Sequence, residues 1–229
     1  MPINSYFKIA IAIFSLFFSL KLKAQTSNFE LGLLPSIRFE KKLLNNWKIN
    51  FNTEFRQNLA TNFLTENNNF DYNYIHTDYT FIATKQKSNK ISFAGGYVLR
   101  VENNNTLMHR FIFQIKSKSK VSYNILSNRL RFDASFQNNY LPIKRLRYKF
   151  RISIPINKLK VYFNLGAEYV NIFSNKNFDL EIRTIPSFTF KVKDSQSINF
   201  GLDYRLNSFI KNETPEGIFW LFLKYNISL

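Results

Sequence analysis

The sequence predicts an all-β protein, a single antiparallel up-and-down barrel of about 10–12 strands that crosses a membrane. Three observations carry this. Apolar and polar residues alternate with period two through most of the chain, which places them on opposite faces of a strand and cannot build one face of a helix. In the five segments where alternation is cleanest, 29 positions on the apolar face hold no charge, whereas the 30 opposite positions hold 15. No segment after residue 24 reaches the roughly 18 consecutive apolar residues of a membrane-crossing helix. Composition agrees: 26 Phe and 12 Tyr bring aromatics to 17%, and such side chains suit a pleated, half-buried surface.

Taken in order, the first element is a targeting segment. Lys8 precedes a largely apolar run from Ile9 to Leu20, and Ala24 offers a small residue before Gln25, the layout of a cleavable secretory signal. The expected organisation is therefore a signal peptide at 1–24 and a β-barrel at 25–229. Cleavage removes Lys8, Lys21 and Lys23 and leaves 29 basic and 15 acidic residues, a net charge of +14.

Eleven candidate strands follow, at 29–40, 47–58, 70–84, 90–102, 107–118, 128–138, 145–156, 160–173, 178–192, 197–207 and 217–229. In the second, Trp47, Ile49, Phe51, Thr53 and Phe55 interleave with Lys48, Asn50, Asn52, Glu54 and Arg56. In the seventh, Leu146, Tyr148, Phe150 and Ile152 oppose Arg145, Arg147, Lys149 and Arg151. The last alternates through Phe219, Leu221, Leu223, Tyr225 and Ile227 to Leu229. It resembles the C-terminal strand by which the assembly machinery recognises outer-membrane proteins, with Leu229 in place of the usual terminal Phe or Trp.

Connections are short at Lys85–Asn89, Asn157–Leu159 and Asp194–Gln196 and longer at Leu59–Asn69 and Ser208–Glu216. Tight periplasmic turns and longer external loops are the pattern of an outer-membrane barrel. An even strand count with both ends on one side is also expected of such barrels. Eleven segments then become ten if 29–40 does not cross, or twelve if Lys118–Ser127 hides a further crossing.

Alternation alone does not say which face is outside, because a soluble exported barrel that binds a small ligand alternates too, with its apolar side chains inward. Bulk favours the outward reading. The interior of a barrel of about ten strands is narrow, and Trp, Phe, Tyr, Ile and Leu from every strand would overpack it.

Several short blocks resemble a known family. They are Trp47 with Glu54-Phe55-Arg56, Gly96-Tyr97 with Arg100, His109-Arg110, Arg129-Leu130-Arg131, and Arg145-Leu146-Arg147 leading to Arg151. Later come Glu168 before Ile172-Phe173, Arg183, then Gly201 and Tyr204-Arg205. Together they are similar to the outer-membrane proteins catalogued as domain of unknown function 2490, of Bacteroidetes-type Gram-negative bacteria. The resemblance implies an outer-membrane location and brings no activity, cofactor or site.

The chemistry available is limited. With no cysteine, a disulfide framework, a Cys-ligated metal, a thiol nucleophile and an acylated lipoprotein cysteine are excluded. Of the two histidines, His76 shares a strand face with Asp78 as a candidate base and orienter, against the simpler reading of two polar lumen residues. His109 falls on the apolar face beside Phe111, with Arg-Phe-Ile-Phe-Gln after it rather than the nearby Ser of an outer-membrane phospholipase. No zinc-ligand spacing, phosphate-binding loop or dinucleotide fingerprint is present, so no cofactor is expected. Gly95-Gly96 sits inside a strand, where it relieves curvature or close packing. Nucleic acid is not an expected partner, because the aromatics lie opposite the charges and a nucleic-acid groove needs both on one face.

What remains is a lumen charge cluster: Glu54, Arg56, Arg100, Arg129, Arg131, Arg145, Arg147, Lys149, Arg151, Glu168 and Arg205. These residues are expected either to attract small anions or to close the barrel through ion pairs, with Glu54, Asp133, Glu168 and Asp203 as acids. The expected function is that of a non-enzymatic outer-membrane barrel with membrane lipid and lipopolysaccharide as surroundings. The alternatives are an outer-membrane lipid-modifying enzyme or the soluble exported barrel.

Overall fold

Period-two patterning becomes strand along the whole described chain. A computed structural model describes residues 29–61, 69–138, 140–156, 160–175, 177–210 and 216–229; the expected signal segment lies outside them. The strands are β1 (Phe29–Lys42), β2 (Trp47–Thr61), β3 (Asn69–Gln86), β4 (Ile91–Glu102), β5 (Leu107–Val121) and β6 (Asn124–Gln137). They continue with β7 (Ile143–Ile156), β8 (Val161–Ser174), β9 (Asn177–Lys193), β10 (Gln196–Asn207) and β11 (Glu216–Ser228). Each pairs antiparallel with the next, and β1 and β11 close the ring.

The count is eleven, which corrects the expectation of ten or twelve. Phe29–Lys42 is a full wall strand bonded to β2 and β11. Lys118–Ser127 contains the end of β5, a two-residue turn and the start of β6, with no further crossing. A ring of purely antiparallel pairs needs an even number, so an odd ring closes only where its first and last strands run the same way. β1 accordingly lies parallel to β11 from Phe29 opposite Gly217 to Glu40 opposite Ser228. For the same reason the two described ends sit at opposite rims. Leu229 lies at the rim of the β1–β2 turn, its N–H donating to the Glu40 carbonyl at 2.7 Å.

All five connections of that rim are short, although the two-residue β8–β9 connection of the other rim is as tight as any. Asn45 and Asn46 have φ of 56° and 60°, and Ser122 has 55°, the left-handed conformations that short hairpins need. The connections of the other rim include the two longest, β2–β3 and β10–β11.

The parallel seam is sealed on its inner side by one residue pair. Gly32 lies opposite Trp220, and a Cβ on Gly32 would run into the indole ring and the Gln57 carbonyl. Gly96 is needed for close approach as well, since a Cβ there would stand 2.6 Å from the Phe81 carbonyl oxygen, whereas a Cβ on Gly95 would meet only an ordinary contact, the Ile112 carbonyl oxygen at 4.0 Å.

The faces are sorted as bulk requires. Phe51, Phe81, Phe111, Phe113, Leu130, Tyr148 and Leu223 are all exposed on the outer wall, Phe111 at 57%. The inner positions are predominantly polar, with Leu34, Ile82, Ile185, Trp220 and Phe222 among the apolar side chains set between them. Gln114, Asp133, Glu168 and Ser187 are among the most completely buried side chains of the described residues.

Candidate functional site

Alternate residues of all eleven strands point inward, and the positions left open enclose a cavity of about 760 Å³. Its lining holds seventeen Lys or Arg and six Asp or Glu side chains, an excess of eleven positive charges. Glu54, Arg56, Arg100, Arg129, Arg131, Arg145, Arg147, Lys149, Arg151, Glu168 and Arg205 all face it. At one end the lining reaches the short-turn rim at Glu40, Lys90 and Lys118. Toward the long-loop rim it stops at the level of Arg56, Asp78, Arg100, Arg145 and Glu181.

A belt of ion pairs forms that stop. Glu168, 1% exposed, accepts from Arg129 Nη2 at 2.6 Å and Arg147 Nε at 3.0 Å, with Lys149 Nζ at 3.9 Å. Arg147 also reaches Asp133 at 3.4 Å, and Asp133 accepts from Arg131 Nε at 2.5 Å. Arg100 grips Asp78 with two parallel bonds of 2.7 and 3.0 Å, the forked geometry that makes Arg–carboxylate pairs strong. Arg183 bonds Glu181, Arg205 bonds Asp203 at 2.6 Å, and Arg56 stands 3.8 Å from Glu54. Arg110 and Arg145 converge on the hydroxyl of Ser135 at 3.0 and 3.1 Å. At the seam the guanidinium carbons of Arg56 and Arg205 lie 4.9 and 5.8 Å from the centre of the Trp220 ring, within cation–π range. Shared carboxylates help to bury so much like charge together: Glu168 serves three cations and Asp133 two, while Glu54, Glu181 and Asp203 each pair with an Arg two residues along the same strand.

The belt also fixes what the histidines can do. His76 is 3% exposed, with Asp78 at 3.9 Å and Glu102 at 3.8 Å. Neither separation is a hydrogen bond, and Asp78 is already engaged by Arg100. The base-and-orienter arrangement is thus not formed, and His76 is a polar lumen residue packed into the belt. His109 points outward and bonds the Tyr97 hydroxyl at 2.5 Å. Among the described residues no group of three or more His, Asp or Glu could hold a metal ion.

The lumen cluster expected from the sequence does not include Arg38, Arg110, Lys116 and Lys224, all of which face the cavity. Arg38 lies in the segment whose crossing was in doubt, and Lys224 is the one basic residue of the largely apolar β11. Parity was the available signal: each stands on the inward side of its strand. Arg38, Lys116, Arg151 and Lys224 have no carboxylate within 4 Å among the described residues.

The sequence pattern of the family described as "Protein of unknown function (DUF2490)" matches residues 31–218. The chain belongs to this family. The match begins inside β1 and ends inside β11, so in this DUF2490 member it takes in the ion-paired belt and nearly all of the basic lining. No curated protein and no solved structure matches the chain.

Proposed function

We propose that this DUF2490 protein is a non-enzymatic outer-membrane barrel whose lumen is a basic cup, closed toward the long-loop rim by its own ion pairs and open to small anions at the short-turn rim. The observation that carries the reading is the inside-out distribution of side chains: aromatic and aliphatic groups cover the outer wall while the charges are buried. Soluble monomers rarely expose contiguous apolar surface beyond a few hundred Å², whereas acyl chains are a suitable solvent for it. Strands of 12 to 18 residues exceed the roughly 9–11 that a tilted membrane crossing needs. The cleavable signal and the alternating β11 supply the export route and the contact with the assembly machinery. Tight turns belong to the periplasmic side in such barrels, which opens the cup to the periplasm and leaves the long loops beside lipopolysaccharide.

Cell fractionation combined with gel migration tests this. The mature protein is expected in the outer-membrane fraction, and folded protein in detergent is expected to migrate differently before and after boiling. Recovery in the soluble periplasm, with identical migration, would support the soluble ligand-binding barrel instead. The cup is tested separately in planar bilayers, where no steady conductance is expected. A sustained current would overturn the closed end while leaving the membrane location in place.

A further inference from the structure

We infer that the short-turn half of the lumen holds a binding site for a soluble phosphate-type polyanion, formed by Arg38, Lys116, Arg129, Arg151 and Lys224. The inference rests on the reading that anions enter the lumen and goes further in naming the ligand class and the residues. These five side chains come from β1, β5, β6, β7 and β11 and converge across the cavity. Lys116 is directly opposite Arg129 in the β5–β6 register. Arg38 and Arg129 are each within electrostatic reach of Lys116, Arg151 and Lys224.

Buried cations normally stand against carboxylates, since an uncompensated charge is costly to desolvate. The long-loop half pairs most of its cations in this way, with Arg110 and Arg145 resting on Ser135 instead, whereas the short-turn half, where Lys48 meets Glu40 at 2.9 Å, leaves a larger group of cations without a close acid. Arg38, Lys116, Arg151 and Lys224 have no carboxylate within 4 Å among the described residues, and Glu40 and Glu54 act on Arg38 only from beyond that distance. Donors are left over as well: Nε of Arg38 and Nε of Arg129 are shielded from solvent without a hydrogen-bond partner. The two halves share one barrel, so this group of four cations without a close carboxylate is local to the short-turn half.

The geometry selects the ligand class. The guanidinium forks of Arg38 and Arg151, the ammonium groups of Lys116 and Lys224 and the remaining Nε of Arg129 offer more directed donors than a halide can use, and the forks match phosphate oxygens. Several unpaired cations call for an anion carrying several charges. The closed, hydrogen-bonded wall separates the site from surrounding lipid, which favours a soluble phosphate compound over a lipid headgroup.

The test is a titration of the full-length, detergent-folded mature protein with inorganic pyrophosphate by calorimetry. Saturable binding is expected, weakened roughly tenfold or more in Arg38→Gln and in Arg151→Gln and unchanged in Lys120→Gln on the exposed rim. Lys224→Gln and Lys116→Gln serve if either Arg variant loses the folded gel position. No binding, or binding that these lumen substitutions leave unchanged, would overturn the site. Binding only to detergent micelles doped with anionic phospholipid, and not to pyrophosphate, would overturn the soluble source. Iodide quenching of a fluorophore at Ser127→Cys separates the two levels of the claim. Quenching without pyrophosphate binding leaves the anion-admitting cup and removes the site, whereas absence of both removes the cup as well.

Discussion

At the scale of single residues the account turns on buried charge and on which side of the wall a side chain faces. Glu168 joins three cations from β6 and β7, so Glu168→Ala leaves them without their shared acid. A loss of about 3–5 kcal/mol is expected, as for breaking a buried pair by removing one partner, read as a lower urea midpoint for loss of the heat-modifiable form. Lys149 is the most distant of its three partners at 3.9 Å. Lys149→Gln keeps Arg129 and Arg147 on Glu168 and is expected to be tolerated. Its neighbour Phe150 faces outward, and on the proposed membrane setting Phe150→Arg is expected to block insertion or to cost roughly 2–4 kcal/mol, because it would set a charge against mid-bilayer lipid. The opposite ranking of this neighbouring pair in a folding assay would contradict the face assignment.

Among the elements, β1 and β11 carry the feature peculiar to this barrel, a parallel closure packed by Trp220 on Gly32. Gly32→Ala is expected to cost about 1–3 kcal/mol, because the indole is held by Arg56 and Arg205 and the Gln57 carbonyl blocks the other direction. Trp220→Ala opens the same seam from the other side, with about 3–5 kcal/mol expected from the lost packing. Thermal unfolding of the detergent-folded protein reads both, and a neutral Gly32→Ala would contradict the seam as described. The strands themselves were legible in the sequence, since alternation in segments such as Trp47–Arg56 and Leu146–Ile152 states both the strand and its two faces. The seam was not. Pairing of β1 with β11 joins residues almost two hundred positions apart, and an evenness rule taken from antiparallel rings excluded the answer. The inward positions of the charge cluster could be read from parity, whereas its partition into a largely acid-paired half and a largely unpaired half depends on inter-strand register, as where Glu168 meets Lys149 and Arg183.

For the whole molecule, the apolar exterior and the basic interior are one design seen from two sides. A wall that turns its aromatics outward must turn its charges inward, and seventeen basic against six acidic lining groups leave a field that concentrates anions. Raised salt is expected to weaken anion capture in the short-turn half more than it weakens the belt, because close buried pairs are screened less than groups open to solvent. The absence of cysteine permits a direct test of both sides at once. Single cysteines at Ser127, which lines the cavity, and at Phe132, which is exposed on the outer wall, can carry a small fluorophore in protein folded into lipid vesicles. The label at 132 is expected to be quenched by brominated lipid and not by iodide, and the label at 127 by iodide, more strongly than by a cationic quencher, and not by lipid. Lipid quenching at 127 with iodide quenching at 132, or equal quenching of both labels by every quencher, would contradict the inside-out barrel.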